Sequence, residues 1–297
     1  MARLLGSQTE ARTGLRRLFE AGEMVLAPGC YDALGARLVE EAGFDAAYMT
    51  GFGSAASRLG RPDVGLMTLP EMVDNARRIA QAIAIPVVAD ADTGYGNSLN
   101  VIRTVHEYEA AGVSAIHLED QVMPKKCGHL EGKQVVPAAE MTAKVAAAVA
   151  ARRSPEFLII ARTDARAVEG LEAALERARM YRDAGADALF VEAPQSEREI
   201  EAVARAFPDV PLLFNYAEGG KTPAVTHTFL RDLGFKLVIF PLTMLLAATA
   251  AIRSALQRIK ADGTPIELLP SMLPFGDFLD FIGIAEIREL ERRFAEG

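Results

Sequence analysis

The chain has 297 residues, half of them hydrophobic and 24% charged, which supplies a sizeable core and fits either one large α/β barrel or two average domains. A formal net charge of −8 without any Lys/Arg block argues against nucleic-acid binding, and two cysteines, Cys30 and Cys127, are too few for a disulfide framework. The opening M-A-R-L-L-G-S-Q-T-E does not read as a signal peptide, and the most apolar run, 237–252, is broken by Pro241 and Thr243; a cytoplasmic protein without a membrane span is expected.

In chain order, an amphipathic helix over 13–21 ends at Gly22. Apolar runs suited to buried strands follow at 24–28, 46–50, 87–90, 115–119, 157–162, 188–192, 212–215 and 237–241. Stretches of helical period alternate with them at 33–42, 69–83, 99–111, 138–152, 171–184, 197–206, 226–233 and 244–260. One phrase recurs: E-A-G-F-D-A-A-Y-M-T (41–50), A-A-G-V-S-A-I-H-L-E (110–119), D-A-G-A-D-A-L-F-V-E (183–192) and D-L-G-F-K-L-V-I-F-P (232–241). Each copy ends a helix at a glycine suited to a left-handed cap (Gly43, Gly112, Gly185, Gly234) and then opens a strand.

Eight such units predict a (β/α)₈ barrel whose active site lies at the C-terminal ends of the strands, with an open doubly wound sheet as the alternative. The G-F-G-S-A-A run at 51–56 matches a dinucleotide-binding fingerprint but lacks a good helix continuation, so that match is weak. Residues 1–297 read as one barrel domain with a helical extension over 261–297. Its Phe275, Phe278, Phe281, Ile282 and Ile284 are too apolar for an exposed tail; they can pack on the barrel of the same chain or on a neighbouring subunit, and the neighbour is the favoured reading.

The sharpest strand end is P-V-V-A-D-A-D-T-G-Y-G-N (86–97). Period-two geometry points Asp90 and Asp92 to one side, and two carboxylates held together suit a hard divalent cation. The plain alternative is a D-x-D that merely ends a strand in solvent. Further polar groups at strand ends are Tyr48, Thr50 and Gly51, then His117 and Glu119, Arg162 and Asp164, Glu192, and Asn215 with Tyr216. Parallel barrel strands are otherwise apolar, so this rim fits a magnesium-type site in which some carboxylates act through water.

After the fourth strand comes K-K-C-G-H-L-E-G-K-Q-V-V-P, in a long connection of the kind that forms lids. Lys125, Lys126 and His129 surround Cys127, and nearby positive charge is expected to lower the thiol pKa, with Gly128 allowing an unusual backbone angle beside it. A proton donor or nucleophile on a mobile loop follows from this, against the plain reading of a surface thiol in a basic loop. Zinc is disfavoured, because one Cys and one His lack partners at ligand spacing. Cys30 reads as core packing.

With K-K-C-G-H at 125–129, D-A-D-T-G-Y-G-N at 90–97 and Y-M-T-G at 48–51, the sequence resembles the isocitrate lyase/phosphoenolpyruvate mutase superfamily over residues 10–290. The loop resembles that of the methylisocitrate lyase and dimethylmalate lyase branch rather than that of the phosphonate mutases. The resemblance implies a barrel whose eighth helix is exchanged between subunits of a homotetramer. It also implies Mg²⁺ (or Mn²⁺) near Asp90 and Asp92, with Asp63 and Glu119 linked through water, and an α-hydroxy or α-keto dicarboxylate as substrate.

In the implied carbon–carbon lyase chemistry Tyr48 is the base, and Cys127 protonates the departing carbanion, tuned by His129 and Glu192. Arg162 neutralises carboxylate charge, and Lys125 belongs to the same catalytic loop. Thr50, Gly51 and Phe52 hold the keto-acid carboxylate, while His117, Gly128 and Asn215 contact substrate. The chain departs from the methylisocitrate lyase pattern at Thr50-Gly51-Phe52, at N-Y-A-E-G-G (215–220), and at P-L-T-M-L-L, where Leu246 replaces an arginine. Losing one charged hydrogen bond costs about 1.5–3 kcal/mol, which favours a substituted malate over a tricarboxylate. Other readings are oxaloacetate hydrolysis or a phosphoenolpyruvate-type mutase on the same scaffold, a Schiff-base aldolase (disfavoured, with no lysine at a predicted strand end) and a non-catalytic binding barrel.

Overall fold

The eight apolar runs become eight parallel strands in this computed structural model, which describes residues 9–295. They are β1 Val25–Cys30, β2 Ala47–Met49, β3 Val87–Asp90, β4 Ala115–Glu119, β5 Leu158–Thr163, β6 Ala188–Val191, β7 Leu213–Asn215 and β8 Leu237–Phe240. Each pairs with its sequence neighbour, β1 pairs with β8, and the Leu189–Leu212 bridge brings β6 to β7, so the sheet closes as a barrel. The expectation about the chain's opening rests mostly on residues outside the described ones. Among the described residues no helix is long and apolar enough to cross a membrane.

Strand alternation explains both the core and the position of the polar rim. Val88, Ala115, Leu158, Ile160, Ala188, Phe190, Leu213, Leu237 and Ile239 point inward and form one buried cluster. Two residues further along the same inward series come Asp90, His117, Arg162, Glu192 and Asn215. The polar groups therefore stand on a floor of apolar side chains. The alternate residues, such as Ala89, Ile116, Ile159, Leu189 and Val238, face outward and join the core beneath the helices.

The helices are α1 Thr9–Glu20, α2 Ala33–Glu41, α3 Gly51–Leu59, α4 Leu69–Ala82, α5 Ser98–Ala111, α6 Ala138–Ala151, α7 Leu171–Asp183, α8 Glu197–Ala206, α9 His227–Asp232 and α10 Thr243–Asp262. All but α3 match a predicted helix within a few residues at either end. The recurring glycines Gly43, Gly112, Gly185 and Gly234 all have positive φ, as the repeated phrase requires. Leu15 of α1 is fully buried and packs on the inward cluster, closing the barrel at the end opposite the rim. Burying such a leucine stabilises by about 1.5–3 kcal/mol.

The chain divides into two compact units after Leu245. The C-terminal unit holds most of α10, then α11 Phe275–Phe281 and α12 Ile284–Phe294, and none of these helices has a buried residue. Ile252, Leu256, Leu269 and Phe275 are exposed.

Candidate active site

A small cavity of about 40 Å³ sits at the C-terminal mouth of the barrel, room for roughly three waters. Tyr48, Thr50, Phe52, Asp63, Asp90, Lys125, Cys127, Gly128, His129, Arg162, Glu192 and Asn215 line it, together with Lys126, Ala217, Pro241 and Leu242. Asp92, His117 and Glu119 are buried behind this lining, and Gly51 is packed against Asp90. All the candidate residues thus meet at one place.

Asp90 ends β3, but Asp92 lies beyond the strand with φ of 48°. The two carboxylates are brought together by a turn, in which Asp92 N–H donates to Asp90 Oδ1 at 2.9 Å, rather than by strand period. Asn97 then caps α5 by accepting from Leu99 N–H and Asn100 N–H, which ends the loop. Burial, with the neighbouring charges of Asp90 and Asp63, pushes Asp92 up to about 7. Burial, with Asp164 and Asp90 adding, holds Glu119 well above the usual carboxylate range. Asp90 is lowered despite its burial, by the charges of Lys125 and Arg162 and the hydrogen bond from Asp92 N–H.

Arg162 is the hub of the opposite side. Its Nε lies 2.9 Å from Asp164 Oδ2, Nη1 3.2 Å from Glu119 Oε2 and Nη2 3.4 Å from Glu192 Oε1, while the guanidinium lies over the Phe190 ring. Asn215 Nδ2 donates to both Glu192 oxygens at 3.2 Å. Tyr48 and His117 share a hydrogen bond of 2.9 Å between the phenol oxygen and Nε2. Burial pushes His117 down to about 4, so the ring is neutral, and burial with the charge of Asp90 keeps Tyr48 a phenol.

The connection after β4 folds down as a flap. Its base is a short antiparallel pairing, with the Gln121–Val135 bridge, Val122 N–H to Gln134 O and Val136 N–H to Asp120 O. Its tip carries Cys127 into the cavity. Three expectations about this tip are corrected. Lys125 does not stand beside the thiol: its Nζ lies 2.6 Å from Asp63 and 2.7 Å from Asp92, and Lys126 is spent on the flap carbonyls of Glu131 and Gly132. Burial, reinforced by Asp63 and Glu192, pushes the Cys127 thiol up to about 11, where a lowered value was expected. Gly128, in turn, has no positive φ; it is required by space, since a Cβ would run into Glu192 Oε1 and lie 2.6 Å from Arg162 Nη2. His129 Nδ1 accepts from Lys221 N–H, so the neutral ring carries its proton on Nε2, 3.4 Å from Glu192 Oε1.

The helix α3 is a feature the sequence reading missed. Thr50 caps it by accepting from Gly53 N–H at 3.2 Å, and its first turn opens beside the cavity, a favourable place for a carboxylate. A Cβ on Gly51 would run into Asp90 Oδ2, so the glycine lets the helix end approach the acids. Thr50, Gly51 and Phe52 therefore form one device, a helix N-terminus.

Sequence comparison agrees with this geometry: the family model for phosphoenolpyruvate phosphomutase matches residues 15–260. A 2,3-dimethylmalate lyase from Eubacterium barkeri is 47% identical over 283 residues, covering 95% of this chain and 98% of that one. The chain belongs to the phosphoenolpyruvate mutase/isocitrate lyase superfamily. Among solved structures of its members, oxaloacetate acetylhydrolase in complex with 3,3-difluorooxalacetate superposes with a TM-score of 0.90 at 40% identity, covering 97% of this chain and 98% of that one. Phosphonopyruvate hydrolase in complex with oxalate and Mg²⁺ gives 0.87 at 32%, covering 98% and 100%.

Within this superfamily barrel the donor set fits a hard divalent cation. Six carboxylates (Asp63, Asp90, Asp92, Glu119, Asp164, Glu192) are buried around the cavity against three cations (Lys125, Lys133, Arg162). Glu119 Oε1 is buried without a hydrogen-bond partner. Among the described residues no three His, Cys, Asp or Glu side chains form a ready metal cage, so the ion that suits is one, like Mg²⁺, that takes one or two carboxylates and fills its remaining positions with water and substrate. Two supporting groups were also missed from sequence. Lys133 reaches Asp164 from the flap, and Asp120 accepts from Thr163 Oγ1, Asp164 N–H and Tyr181 OH. Lys133 sits in the K-K-C-G-H-L-E-G-K run and Asp120 directly after Glu119, but only the fold shows what they pair with.

Proposed function

We propose that this protein is a Mg²⁺-dependent carbon–carbon lyase that cleaves a small 2-hydroxydicarboxylate of the substituted-malate type into pyruvate, or another α-keto acid, and a second carboxylic acid. The observation that carries this reading is a protonated thiol, Cys127, held in the roof of a cavity whose far side gathers acids suited to a divalent cation. The 47% identity to a 2,3-dimethylmalate lyase supports the substrate class. We further propose a cytoplasmic homotetramer, consistent with the two free thiols and with the exposed apolar side chains of the C-terminal unit.

Mg²⁺, or Mn²⁺ in its place, would be held by Asp90 and Asp92, with Asp63 and Glu119 acting through water, and would supply Lewis-acid activation of the substrate hydroxyl. A dicarboxylate entering so acidic a site needs that positive charge to accompany it. The first turn of α3, from Thr50 to Phe52, binds the carboxylate next to the hydroxyl-bearing carbon. Tyr48 takes the hydroxyl proton as its own passes to Nε2 of neutral His117, whose charge then faces Asp90 Oδ1 at 3.8 Å. As the C2–C3 bond breaks, its electron pair moves onto C3 and the adjoining carboxylate, where Arg162 offsets the charge. The Cys127 S–H then delivers its proton to C3. Glu192, held by Asn215 and Arg162, and His129 fix the thiol's surroundings.

The wall formed by Phe52, Ala217, Pro241 and Leu242 has no charge, and Lys125 and Lys126 are already engaged. A third carboxylate finds no partner there, whereas an alkyl substituent does. The likeness to oxaloacetate acetylhydrolase favours a second reading, hydrolysis of oxaloacetate. A panel of malate, citramalate, 2,3-dimethylmalate, 2-methylisocitrate and oxaloacetate, assayed for pyruvate and for oxalate, separates the two. Pyruvate from a substituted malate supports the lyase; oxalate alone moves the enzyme to the hydrolase, a P–C bond formed from a phosphoenolpyruvate-type compound to the mutase, and silence across all of them to a binding barrel.

A further inference from the structure

We propose that Lys133 is a positioning residue, a latch that couples closure of the flap to the setting of Arg162. Lys133 lies six residues beyond Cys127, where the flap returns to α6. Its side chain is 2% exposed, with Nζ 3.1 Å from Asp164 Oδ1 and donating to the Gly128 carbonyl. The same Asp164 oxygen accepts from Arg162 Nη2 at 3.1 Å, and Asp164 Oδ2 accepts from Arg162 Nε at 2.9 Å. One carboxylate on β5 thus reads two cations: Arg162 from the barrel and Lys133 from the flap. The carbonyl that Lys133 also holds belongs to the residue next to Cys127.

This arrangement has a counterpart at the other edge of the flap, where Lys125 is buried between Asp63 and Asp92. The reactive tip is therefore pinned on both sides by ammonium groups entering acids of the barrel. Acids left without these cations repel one another, so closure is favoured by the excess negative charge of the mouth itself. An ion pair so deeply buried is costly to break on one side only, because the remaining carboxylate stays desolvated. By contrast the outer contact between Lys221 and Glu131, with Glu131 87% exposed, contributes little to closure.

The inference rests on the proposed chemistry only for its activity arm. Its other arm is alkylation of the native protein by iodoacetamide, which needs no substrate. Cys30 is fully buried with its thiol pushed up to about 12, so Cys127 is the thiol that reports. Opening the flap exposes Cys127 and returns it toward an ordinary thiol value, which raises its rate. Lys133→Met is expected to speed alkylation at least tenfold, about 1.4 kcal/mol less favourable closure, and to lower kcat far more than it changes KM. Lys133→Arg is expected to restore part of both, and Glu131→Gln to change alkylation less than twofold. Alkylation of Lys133→Met within twofold of the wild type would overturn the latch. So would loss of folding in that variant, which would make Lys133 a core residue. Faster alkylation in a protein inactive on every substrate would keep the latch and refute the lyase instead.

Discussion

Cys127 acts on the opposite principle to the one its basic neighbours imply. Its thiol is pushed up, not down, because burial under the flap outweighs cations that turn away to other acids. A thiol held near 11 is a proton donor at neutral pH and a poor nucleophile. Its alkylation rate is predicted to keep rising, about tenfold per pH unit, through pH 9 and 10; a plateau near the ordinary thiol value of about 8.5 would contradict this. Arg162 is the other residue on which the site turns. Arg162→Met strands Glu119 and Glu192 without their counter-charge and leaves Asp164 to Lys133 alone, and a loss of about 3–5 kcal/mol is predicted in urea unfolding at pH 7.5. Part of that loss is predicted to return at pH 5, where a carboxylate in an uncompensated site takes up a proton.

At the scale of single elements, legibility follows hydrophobic pattern. Strands such as Val87–Asp90 and Ala115–Glu119 were readable to the residue, because an uninterrupted apolar run between a helix cap and a polar end has few other fates. The short helix Gly51–Leu59 was not: its two glycines and small residues give little helical propensity, and it forms because Thr50 caps it and Asn75 Nδ2 reaches Ser54 Oγ at 2.9 Å. Asp90, Glu119, Asp164 and Glu192 were legible because each extends an inward-facing series, whereas Asp92 is set by a turn and Asp63 lies on no strand. Lys133 and Asp120 were not, since the side chains they pair with lie 31 or more residues away in sequence. Gly51→Ala tests the role of α3. Its Cβ displaces the Asp90 carboxylate, so Mn²⁺ binding followed by electron paramagnetic resonance is predicted to weaken at least tenfold while the melting temperature falls only slightly; unchanged binding would separate the helix end from the metal site.

At the scale of the whole molecule, the barrel separates stability from chemistry. Leu15 and the inward apolar layers close one end, and the acids, the cations and the flap occupy the other. The C-terminal unit leaves Ile252, Leu256, Ile266, Leu269, Leu273 and Phe275 exposed, apolar groups that the proposed subunit contacts would cover. Sedimentation equilibrium is predicted to return a tetramer, and deletion of 263–297 to yield a smaller species; a monomer at micromolar concentration in the full chain would refute the proposed homotetramer.

The central claim is that the acids bind a divalent cation and Cys127 delivers the proton that completes carbon–carbon cleavage. Its most direct test is pyruvate release from 2,3-dimethylmalate, followed through lactate dehydrogenase, for wild type and Cys127→Ser, each with Mg²⁺ and with excess EDTA. Turnover is predicted for the wild type with Mg²⁺ and none with EDTA, and kcat of the serine variant is predicted to fall about 10²- to 10⁴-fold. Turnover that survives EDTA, or a serine variant as fast as the wild type, would contradict the claim.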